Sequence, residues 1–365
     1  MAAALLLTNA VRHYAWGSRT VLPTLLGLPV PAVEPWAEIW IGAHPTDPSL
    51  LPDGRSLAEV EPHLPYLVKL LAADVPLSIQ AHPSRSQARA GYAREDAAGV
   101  AVSAAERTYK DANHKPELLV ALQPTEALCG FRAPGEILDL ARRVGSPGFS
   151  RLVEPLASGA TSREAFTRLV QLRGEPLVAL LADVASALPS SDTPEAAWVA
   201  RLAELHPGDA GALAPLLLRL VELAPGDALF VAAGVLHAYL HGAGVEVQAS
   251  SDNVVRGGLT QKPVDVPALL ELMSDDDGPA PLVHPSAVAP GLDRYEVPVD
   301  DFSVWRVRPA GGAVTVPAQG PRIAVCVEGT VVVCDATLRP GEAVYLPSDV
   351  ADVVATGTGT AFVTA

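Results

Sequence analysis

Short apolar runs separated by Pro, Gly and Asp dominate the first third of the chain. Four of them have the length and aliphatic content of strands: EIWIGAH (38–44), PYLVKLL (65–71), PLSIQAH (76–82) and ELLVAL (117–122). Strands of this kind, spaced closely and bounded by turn residues, predict a β-sandwich or a β-barrel. Two short helical stretches interrupt the strands, and one of these begins after Ser84.

The pattern changes between residues 133 and 223, where Ala, Leu, Arg and Glu recur at helical spacing. Thr161 is followed three positions later by Glu164, and Thr193 precedes Pro194. Both arrangements are typical of the first turn of a helix. Strands return after this segment, so we interpret it as a helical domain inserted between two parts of one β unit.

The last part of the chain is again rich in strand patterns and repeats an earlier one. VCVEGTVVVC (325–334) predicts a hairpin, and LRPGEAVYLPSD (338–349) resembles LAPGDALFVAAG (223–234). Each of the last two has a Pro-Gly-acid turn and then an apolar strand, an internal repeat expected of two related barrels. The pattern resembles the cupin jelly roll. The first copy continues into His237, whereas the second has no histidine, so we expect no metal in the C-terminal barrel.

The predicted fold is therefore mainly β with an α-helical insert, comprising two cupin-like jelly-roll barrels and a helical domain. The first barrel is expected to combine residues 1–130 with residues 215–275. The helical insert would occupy residues 131–214, and a metal-free, cupin-like domain residues 276–365. A chain of 365 residues is long enough for several such units, because one hydrophobic core rarely organises so many.

Charge and cysteine content narrow the choice of partners and compartment. The formal net charge of −15 argues against nucleic-acid or anionic-membrane binding, since the overall field repels polyanions. Three cysteines give no disulfide framework and fit a reducing compartment. The opening MAAALLLTNAVRHYAWG lacks the basic region of a signal peptide, and no apolar run is long enough to span a membrane. We expect a cytoplasmic protein.

Candidate metal ligands occur in three of the strand-like segments. An amide oxygen, two imidazoles and a carboxylate suit Zn²⁺ and leave room for water or substrate. Residues two apart on a strand share a face, so Gln80 points with His82, and Lys115 with Glu117. The four candidate ligands are Gln80, His82, Glu117 and His237.

Longer blocks of the sequence resemble one family, the type I mannose-6-phosphate isomerases. The blocks are YAWGS (14–18), EIWIGAHPTDPS (38–49), LVKLLAADVPLSIQAHP (67–83), NHKPELLVAL (113–122), CGFR (129–132) and HAYLHGAGVEVQASSDNVVRGGLTQK (237–262). Their order is the family's, and the resemblance covers residues 12–275 except the helical insert. It implies a zinc-dependent aldose–ketose isomerase, with one Zn²⁺ per chain, that interconverts mannose 6-phosphate and fructose 6-phosphate. It also implies that the same four candidates are the zinc ligands. We expect the chain to be a monomer.

The resemblance further implies a pocket for a small sugar phosphate, built from Lys69, Ser78, Lys115, Tyr239, Glu246, Asp252, Arg256 and Lys262. The chain departs from the family at Gln248, Ala249 and Ser250, where relatives usually have Met-Ala-Asn. This departure concerns the shape of the pocket and not the zinc site.

The isomerisation requires a proton carrier and positive charge where the enediolate oxygens develop. Arg256 and Lys115 are expected to supply charge. Glu246 and Lys115 are equal candidates for the proton carrier. Asp252 and His82 are expected to assist opening of the sugar ring. The candidates for the phosphate are Lys262, Lys69, Ser78 and Arg256.

Three other functions fit part of the pattern. A cupin dioxygenase would use two histidines and a carboxylate to hold iron, but Gln80 would occupy a position that oxygen chemistry needs. An isomerase of another sugar phosphate on the same scaffold would differ only in the details of the pocket. A non-catalytic sugar-binding cupin would not need Lys115, Glu246 and Arg256, which are all present.

Overall fold

Two antiparallel sheets and a group of helices make up the chain, and the computed structural model describes residues 4–104, 106–262, 264–350 and 352–365. The strands are β1 Leu5–Leu7, β2 Ala10–Arg12, β3 Glu38–Gly42, β4 Tyr66–Ala73, β5 Ile79–Ala81, β6 Glu117–Ala121, β7 Thr125–Phe131, β8 Leu218–Leu223, β9 Ala228–Val231, β10 His237–Ala249, β11 Val255–Gly258, β12 Leu282–Val283, β13 Ser286–Ala289, β14 Leu292–Tyr295, β15 Val304–Val307, β16 Val314–Val316, β17 Arg322–Val333, β18 Ala336–Leu338, β19 Ala343–Leu346 and β20 Val353–Thr364.

The helices lie mainly between β7 and β8. They are α1 Val21–Leu25, α2 Leu57–Val60, α3 Arg85–Ala97, α4 Pro134–Val144, α5 Pro147–Val153, α6 Ser162–Gln171, α7 Gly174–Ala187, α8 Pro194–Leu205 and α9 Val266–Leu272. Short 3₁₀ segments are formed by Glu154–Ser158, Leu188–Ser190 and Ala210–Leu216. The predicted mainly β fold with two cupin-like barrels and a helical insert is confirmed.

Side-chain caps start the helices where the sequence predicted them. Thr161 accepts a hydrogen bond from the Glu164 N–H, and the Glu164 carboxylate accepts one from the Thr161 N–H. Thr193 caps α8, and Ser84 caps α3. Each cap satisfies a backbone donor that the first helical turn leaves free.

The eleven-stranded sheet has the order β12–β9–β6–β10–β4–β3–β2, and β5, β7, β8 and β11 extend it. Its central strand is β10, whose first part pairs with β5 and β7 and whose second part pairs with β4 and β6. The change of partners falls at Gly242, with φ of +122°. A Cβ atom there would lie 2.3 Å from the Thr125 hydroxyl oxygen, so the close strand approach requires glycine.

The nine-stranded sheet has the order β1–β19–β17–β20–β15–β14–β13, with β16 beside β20 and β18 beside β17. The predicted hairpin at 325–334 is wrong, because residues 322–333 form one long strand that pairs with β20. Gly329, with φ of +68°, and a bulge near Glu328 bend this strand without ending it. The chain turns only at Cys334, which has φ of +54°.

The two sheets exchange strands at their edges. β1 pairs with β19 of the second sheet, and β12 pairs with β9 of the first. One hydrophobic core lies between them and contains Ile39 and Val68 from the first sheet with Ile323 and Phe362 from the second. The predicted domain boundaries stay a prediction, with the additional observation that residues 5–7 lie in the sheet of the C-terminal barrel.

The helical insert packs against one side of the first barrel. Phe131 of β7 and Phe166 of α6 contact each other with ring centroids 5.8 Å apart. They belong to a core that also contains Ile79 of β5 and Ile137 of α4. This packing fixes the β5 and β7 strands from behind. Within the described ranges, every helix is too short or too polar to cross a membrane.

Candidate active site

Three strand ends bring His82, Glu117 and His237 together in the interior of the first barrel. Glu117 and His237 are the first residues of β6 and β10, and His82 follows β5 directly. The Glu117 carboxylate lies 3.2 Å from His82 Nε2 and 3.4 Å from His237 Nε2. All three side chains are buried, and their donor atoms lie within 4.8 Å of one another.

Backbone carbonyls fix how both imidazoles are oriented. His82 Nδ1 lies 2.7 Å from the Asn253 carbonyl, and His237 Nδ1 lies 3.1 Å from the Val235 carbonyl. A carbonyl only accepts, so each Nδ1 carries the proton and each Nε2 presents a lone pair. Neither Nε2 has a hydrogen-bond partner in the described part of the chain, and neither does Glu117 Oε2. Such buried, converging acceptors fit a metal cation.

Gln80 and Lys115 complete the surroundings of this cluster. Gln80 lies opposite His237 in the pairing of β5 with β10, and it lines the adjoining cavity. Lys115 Nζ lies 2.7 Å from Glu117 Oε1. Although burial opposes it, the neighbouring Lys115 charge holds the pKa of Glu117 well below its usual range. Burial, with the Lys115 charge, lowers the pKa of His82 to about 4, so its imidazole is neutral, as a metal ligand must be.

A cavity of about 550 Å³ opens from the cluster to the surface. It is lined by ten of the twelve site residues predicted from the sequence: Lys69, Ser78, Gln80, Lys115, Glu117, Tyr239, Glu246, Asp252, Arg256 and Lys262. The other two, His82 and His237, lie behind this wall and are fully buried. A larger cavity of about 700 Å³ between α1 and the second barrel contains none of these residues.

Lys69 and Glu246 face each other across paired strands β4 and β10. Lys69 Nζ lies 3.0 Å from Glu246 Oε2 and 3.4 Å from Glu38 Oε1. Burial lowers the pKa of Lys69, but Glu246 and Glu38 outweigh it and raise this pKa above its ordinary value. Burial raises the pKa of Glu246, although Lys69 opposes the shift. Lys69 is therefore a fixed cation that holds the Glu246 carboxyl in place.

Arg256 and Lys262 form the cationic side of the cavity. Neither forms an ion pair with any acid among the described residues, although the chain is strongly acidic. The charge of Arg256 lowers the pKa of Lys262, and burial lowers the pKa of Arg256. Two neighbouring cations without acidic partners favour an anionic ligand between them.

The position and the pKa of the Asp252 carboxylate depend on His44, a residue that the sequence interpretation missed. The His44 Nδ1 accepts a hydrogen bond from the Thr46 N–H, so its Nε2 carries the proton. This Nε2–H donates to Asp252 Oδ1 at 3.0 Å. The hydrogen bond from His44 lowers the pKa of Asp252. His44 lies within the block EIWIGAHPTDPS, but nothing in the sequence linked it to a residue 208 positions away.

Asn253 was also missed, and it rigidifies the loop after β10. Its side-chain amide donates to the carbonyls of Asp111 and Asn113 at 2.9 and 2.8 Å and accepts from the Lys110 N–H at 2.7 Å. Its own carbonyl orients His82. The loop therefore connects the cation side of the cavity to the imidazole cluster.

Comparison with known sequences identifies relatives along the whole chain. The family profile "Phosphomannose isomerase type I, catalytic domain" matches residues 5–62 and 52–134. Mannose-6-phosphate isomerase of Escherichia coli (strain K12) is 36% identical over 380 residues, which cover 97% of each chain. The enzyme of the same name from Homo sapiens is 32% identical over 389 residues, with 91% of this chain and 89% of the human chain covered.

Solved structures show the same fold. A zinc-bound mannose 6-phosphate isomerase superposes with a TM-score of 0.93 and 36% identity, covering 100% of this chain and 99% of the other. The enzyme from Salmonella typhimurium bound to fructose 6-phosphate and zinc superposes with a TM-score of 0.93, 35% identity and the same coverage. Identity of this extent over nearly the full length is decisive, and the chain belongs to the type I phosphomannose isomerase family.

Proposed function

We propose that this chain is an isomerase that interconverts D-mannose 6-phosphate and D-fructose 6-phosphate with Zn²⁺ as its cofactor. The observation that carries the proposal is a buried His–Glu–His cluster at the base of a cavity whose other wall holds two cations with no acidic partner among the described residues. Relatives of this name match the chain along nearly its full length. A solved relative holds both fructose 6-phosphate and zinc.

The Nε2 atoms of His82 and His237 have no hydrogen-bond partner among the described residues, and together with the Glu117 carboxylate they fit a zinc ion. The Gln80 amide would be the fourth donor. We assign these four residues to the metal, one ion per chain. When bound, the ion supplies Lewis-acid stabilisation of negative charge on the sugar oxygens. Lys115, beside Glu117, adds a fixed positive charge on the same side of the cavity.

Proton transfer between neighbouring sugar carbons requires a carrier in the cavity wall. Glu246 and Lys115 were equal candidates from the sequence. Lys115 is engaged by Glu117 at 2.7 Å, whereas Glu246 is a buried carboxyl in the cavity wall, held in place by Lys69. Burial raises the pKa of Glu246, which moves it toward the range useful at neutral pH. We therefore assign the proton carrier to Glu246 and charge stabilisation to Lys115.

Ring opening must precede removal of the carbon-bound proton. Of the two residues predicted to assist, His82 uses Nδ1 for the Asn253 carbonyl and presents Nε2 to the metal cluster. Asp252 faces the cavity with one oxygen held by His44, so we assign this step to Asp252. The Tyr239 hydroxyl is buried without a partner among the described residues, and we assign it to donate to a sugar oxygen.

The phosphate is assigned to Arg256 and Lys262, with Ser78 as a hydroxyl donor on the same cavity. Lys69 was another candidate from the sequence, but it forms ion pairs with Glu38 and Glu246. We therefore assign Lys69 to positioning the Glu246 carboxyl. The phosphate carries roughly −1.5 to −2 charges at neutral pH. It would supply the acidic partner that neither cation has among the described residues.

A coupled assay with mannose 6-phosphate, with and without a chelator, tests the function. We expect turnover that the chelator abolishes and added Zn²⁺ restores. Absence of turnover in zinc-loaded protein would exclude the proposed function. Turnover that is indifferent to metal removal would exclude the zinc assignment.

We further expect a monomer in the cytoplasm. The three unpaired cysteines are in keeping with this compartment.

A further inference from the structure

One buried polar side chain in the cavity has no role in the mechanism above. Gln248 lies two residues after Glu246 on β10, so both side chains face the barrel interior. In the strand pairing, it lies opposite Glu117 on β6 and Leu67 on β4. Only 2% of Gln248 is exposed, and it lines the cavity.

The orientation of the Gln248 amide is fixed by the loop that follows β10. Its Nε2 lies 3.2 Å from the Ser251 carbonyl oxygen, which can only accept. The reversed amide would place two acceptors against each other, so the nitrogen must face Ser251. Its Oε1 is buried and receives no hydrogen bond from any residue that the structure describes. A buried acceptor left without a donor costs about 1–3 kcal/mol.

The chemistry of Gln248 Oε1 determines which kind of ligand group it can bind. A neutral amide oxygen accepts hydrogen bonds and has no attraction for phosphate oxygens, which also accept. The nearby ammonium of Lys115 is engaged by Glu117 at 2.7 Å. A hydroxyl group of the sugar is therefore the matching donor.

The position of the reacting carbons limits which hydroxyl this is. In the proposed function, carbons 1 and 2 react beside the His–Glu–His cluster, the oxygen of carbon 5 closes the ring, and carbon 6 carries the phosphate toward Arg256 and Lys262. Only the hydroxyls of carbons 3 and 4 remain throughout the reaction as unchanged donors.

We infer that Gln248 is a specificity-determining residue, whose Oε1 accepts a hydrogen bond from the carbon 3 or carbon 4 hydroxyl of the bound sugar phosphate. The inference rests on the proposed function. It makes Gln248 a selector against sugar phosphates that lack this hydroxyl or present it with inverted configuration. The contact exists in both the ground state and the transition state, because neither hydroxyl reacts.

The test compares wild-type enzyme with Gln248→Met, which keeps the length of the side chain and removes the acceptor. Substrates are mannose 6-phosphate and its 3-deoxy and 4-deoxy analogues. For mannose 6-phosphate we expect kcat/KM to fall about tenfold, mainly through KM, the size of one hydrogen bond. For the analogue that lacks the contacted hydroxyl, we expect wild type and variant to agree within about twofold.

Gln123→Met is the matched control, since Gln123 lines the other large cavity and not this one. Zinc content and thermal midpoint verify that each variant is folded. If Gln248→Met does not fold, Gln248→Asn withdraws the oxygen by one carbon–carbon bond, and the same pattern is expected. An unchanged kcat/KM for mannose 6-phosphate, or an equal loss with both analogues, overturns the inference. A zinc-loaded wild type without isomerase activity would overturn the proposed function together with it.

Discussion

At the scale of single residues, His237 combines full burial, a fixed tautomer and an Nε2 atom that no described residue contacts by a hydrogen bond. We expect His237→Ala to weaken zinc binding by more than the roughly 10–100-fold that changes around a ligand cause. Chelator competition followed by metal analysis measures this. His63→Ala, which alters an exposed histidine, is the control. Retention of zinc at wild-type affinity in His237→Ala would contradict the ligand assignment.

The two cations assigned to different ends of the substrate should give different kinetic defects. Lys115→Met removes charge stabilisation, so kcat and kcat/KM should fall together, on the order of 10²–10³-fold. Arg256→Ala removes a phosphate contact, so KM should rise and inhibition by inorganic phosphate should weaken. Arg89→Ala, on the exposed side of α3, is the control. Near-normal kinetics in either variant, with zinc bound, would show that the charges act elsewhere.

The Glu246→Gln variant distinguishes the role of proton carrier, assigned to Glu246, from the role of charge stabilisation, assigned to Lys115. We expect turnover to fall at least about 10²-fold, and exchange of the carbon 2 proton with solvent deuterium to disappear. In Lys115→Met, slow exchange should persist, since the carrier is intact. Nuclear magnetic resonance of the sugar in D₂O measures both. Exchange that persists in Glu246→Gln and vanishes in Lys115→Met would reverse the assignment.

Sequence reasoning brought side chains together where they are close in the chain. Lys115 lies two residues before Glu117, the first residue of β6, and the structure joins the two side chains at 2.7 Å. His44 and Asp252 could not be paired in this way, because their contact joins segments far apart in the chain. The sequence could not show either that Gln248 Oε1 has no hydrogen-bond donor among the described residues, since only a folded cavity defines this.

At the scale of elements, a single carboxylate joins α5 to α7. Asp183 of α7 accepts hydrogen bonds from the Ser146 hydroxyl and, at 2.7 Å, from the Gly148 N–H. These bonds lower the pKa of Asp183. Ser146 in turn caps α5 through the Phe149 N–H. The carboxylate thereby holds the start of one helix against the middle of another.

We expect Asp183→Ala to lower the free energy of unfolding by about 1–2 kcal/mol without changing kcat or KM. Because the folded-state pKa is depressed, this stability is present above the unfolded pKa of about 3.9 and is lost as pH falls through the folded value. The difference between wild type and variant should therefore shrink below about pH 4. Hydrogen exchange over residues 146–153 locates the effect, and the exposed Asp192→Ala is the control. Unchanged exchange there would contradict the proposed helix contact.

Secondary-structure elements were predicted correctly where the chemistry of neighbouring residues defines them. They were predicted wrongly where strand pairing defines them. The Pro-Gly-acid turns before β9 and β19 require positive φ at Gly226 and Gly341, which glycine provides. The hairpin expected at 325–334 failed because Gly329 bends a strand whose partner, β20, continues on both sides. A glycine within an apolar run indicates a change of direction but not whether pairing continues through it.

At the scale of the whole molecule, the two barrels share one core and several polar contacts. The Tyr66 hydroxyl on β4 lies 3.0 Å from the Pro321 carbonyl and 2.9 Å from the Thr364 carbonyl. The Tyr345 hydroxyl on β19 donates to Glu61 at 2.8 Å. We propose that the catalytic barrel and the C-terminal barrel unfold together, because neither covers its inner face alone.

Tyr66→Phe tests this coupling, since it leaves buried carbonyls without their donor. We expect the free energy of unfolding to fall by about 1–3 kcal/mol, and tryptophans in the two barrels to lose structure in one transition. Tyr92→Phe, on α3, is the control. Two separate transitions in the wild type would show that the barrels are independent domains.

The position of β1 in the second sheet determines when, during synthesis of the chain, this strand can pair. Leu5 pairs with Tyr345, so β1 is synthesised long before its partner strand β19. We expect the apolar edge of β1 to stay unpaired until β19 has been synthesised, and to need shielding by chaperones or by the ribosome until then.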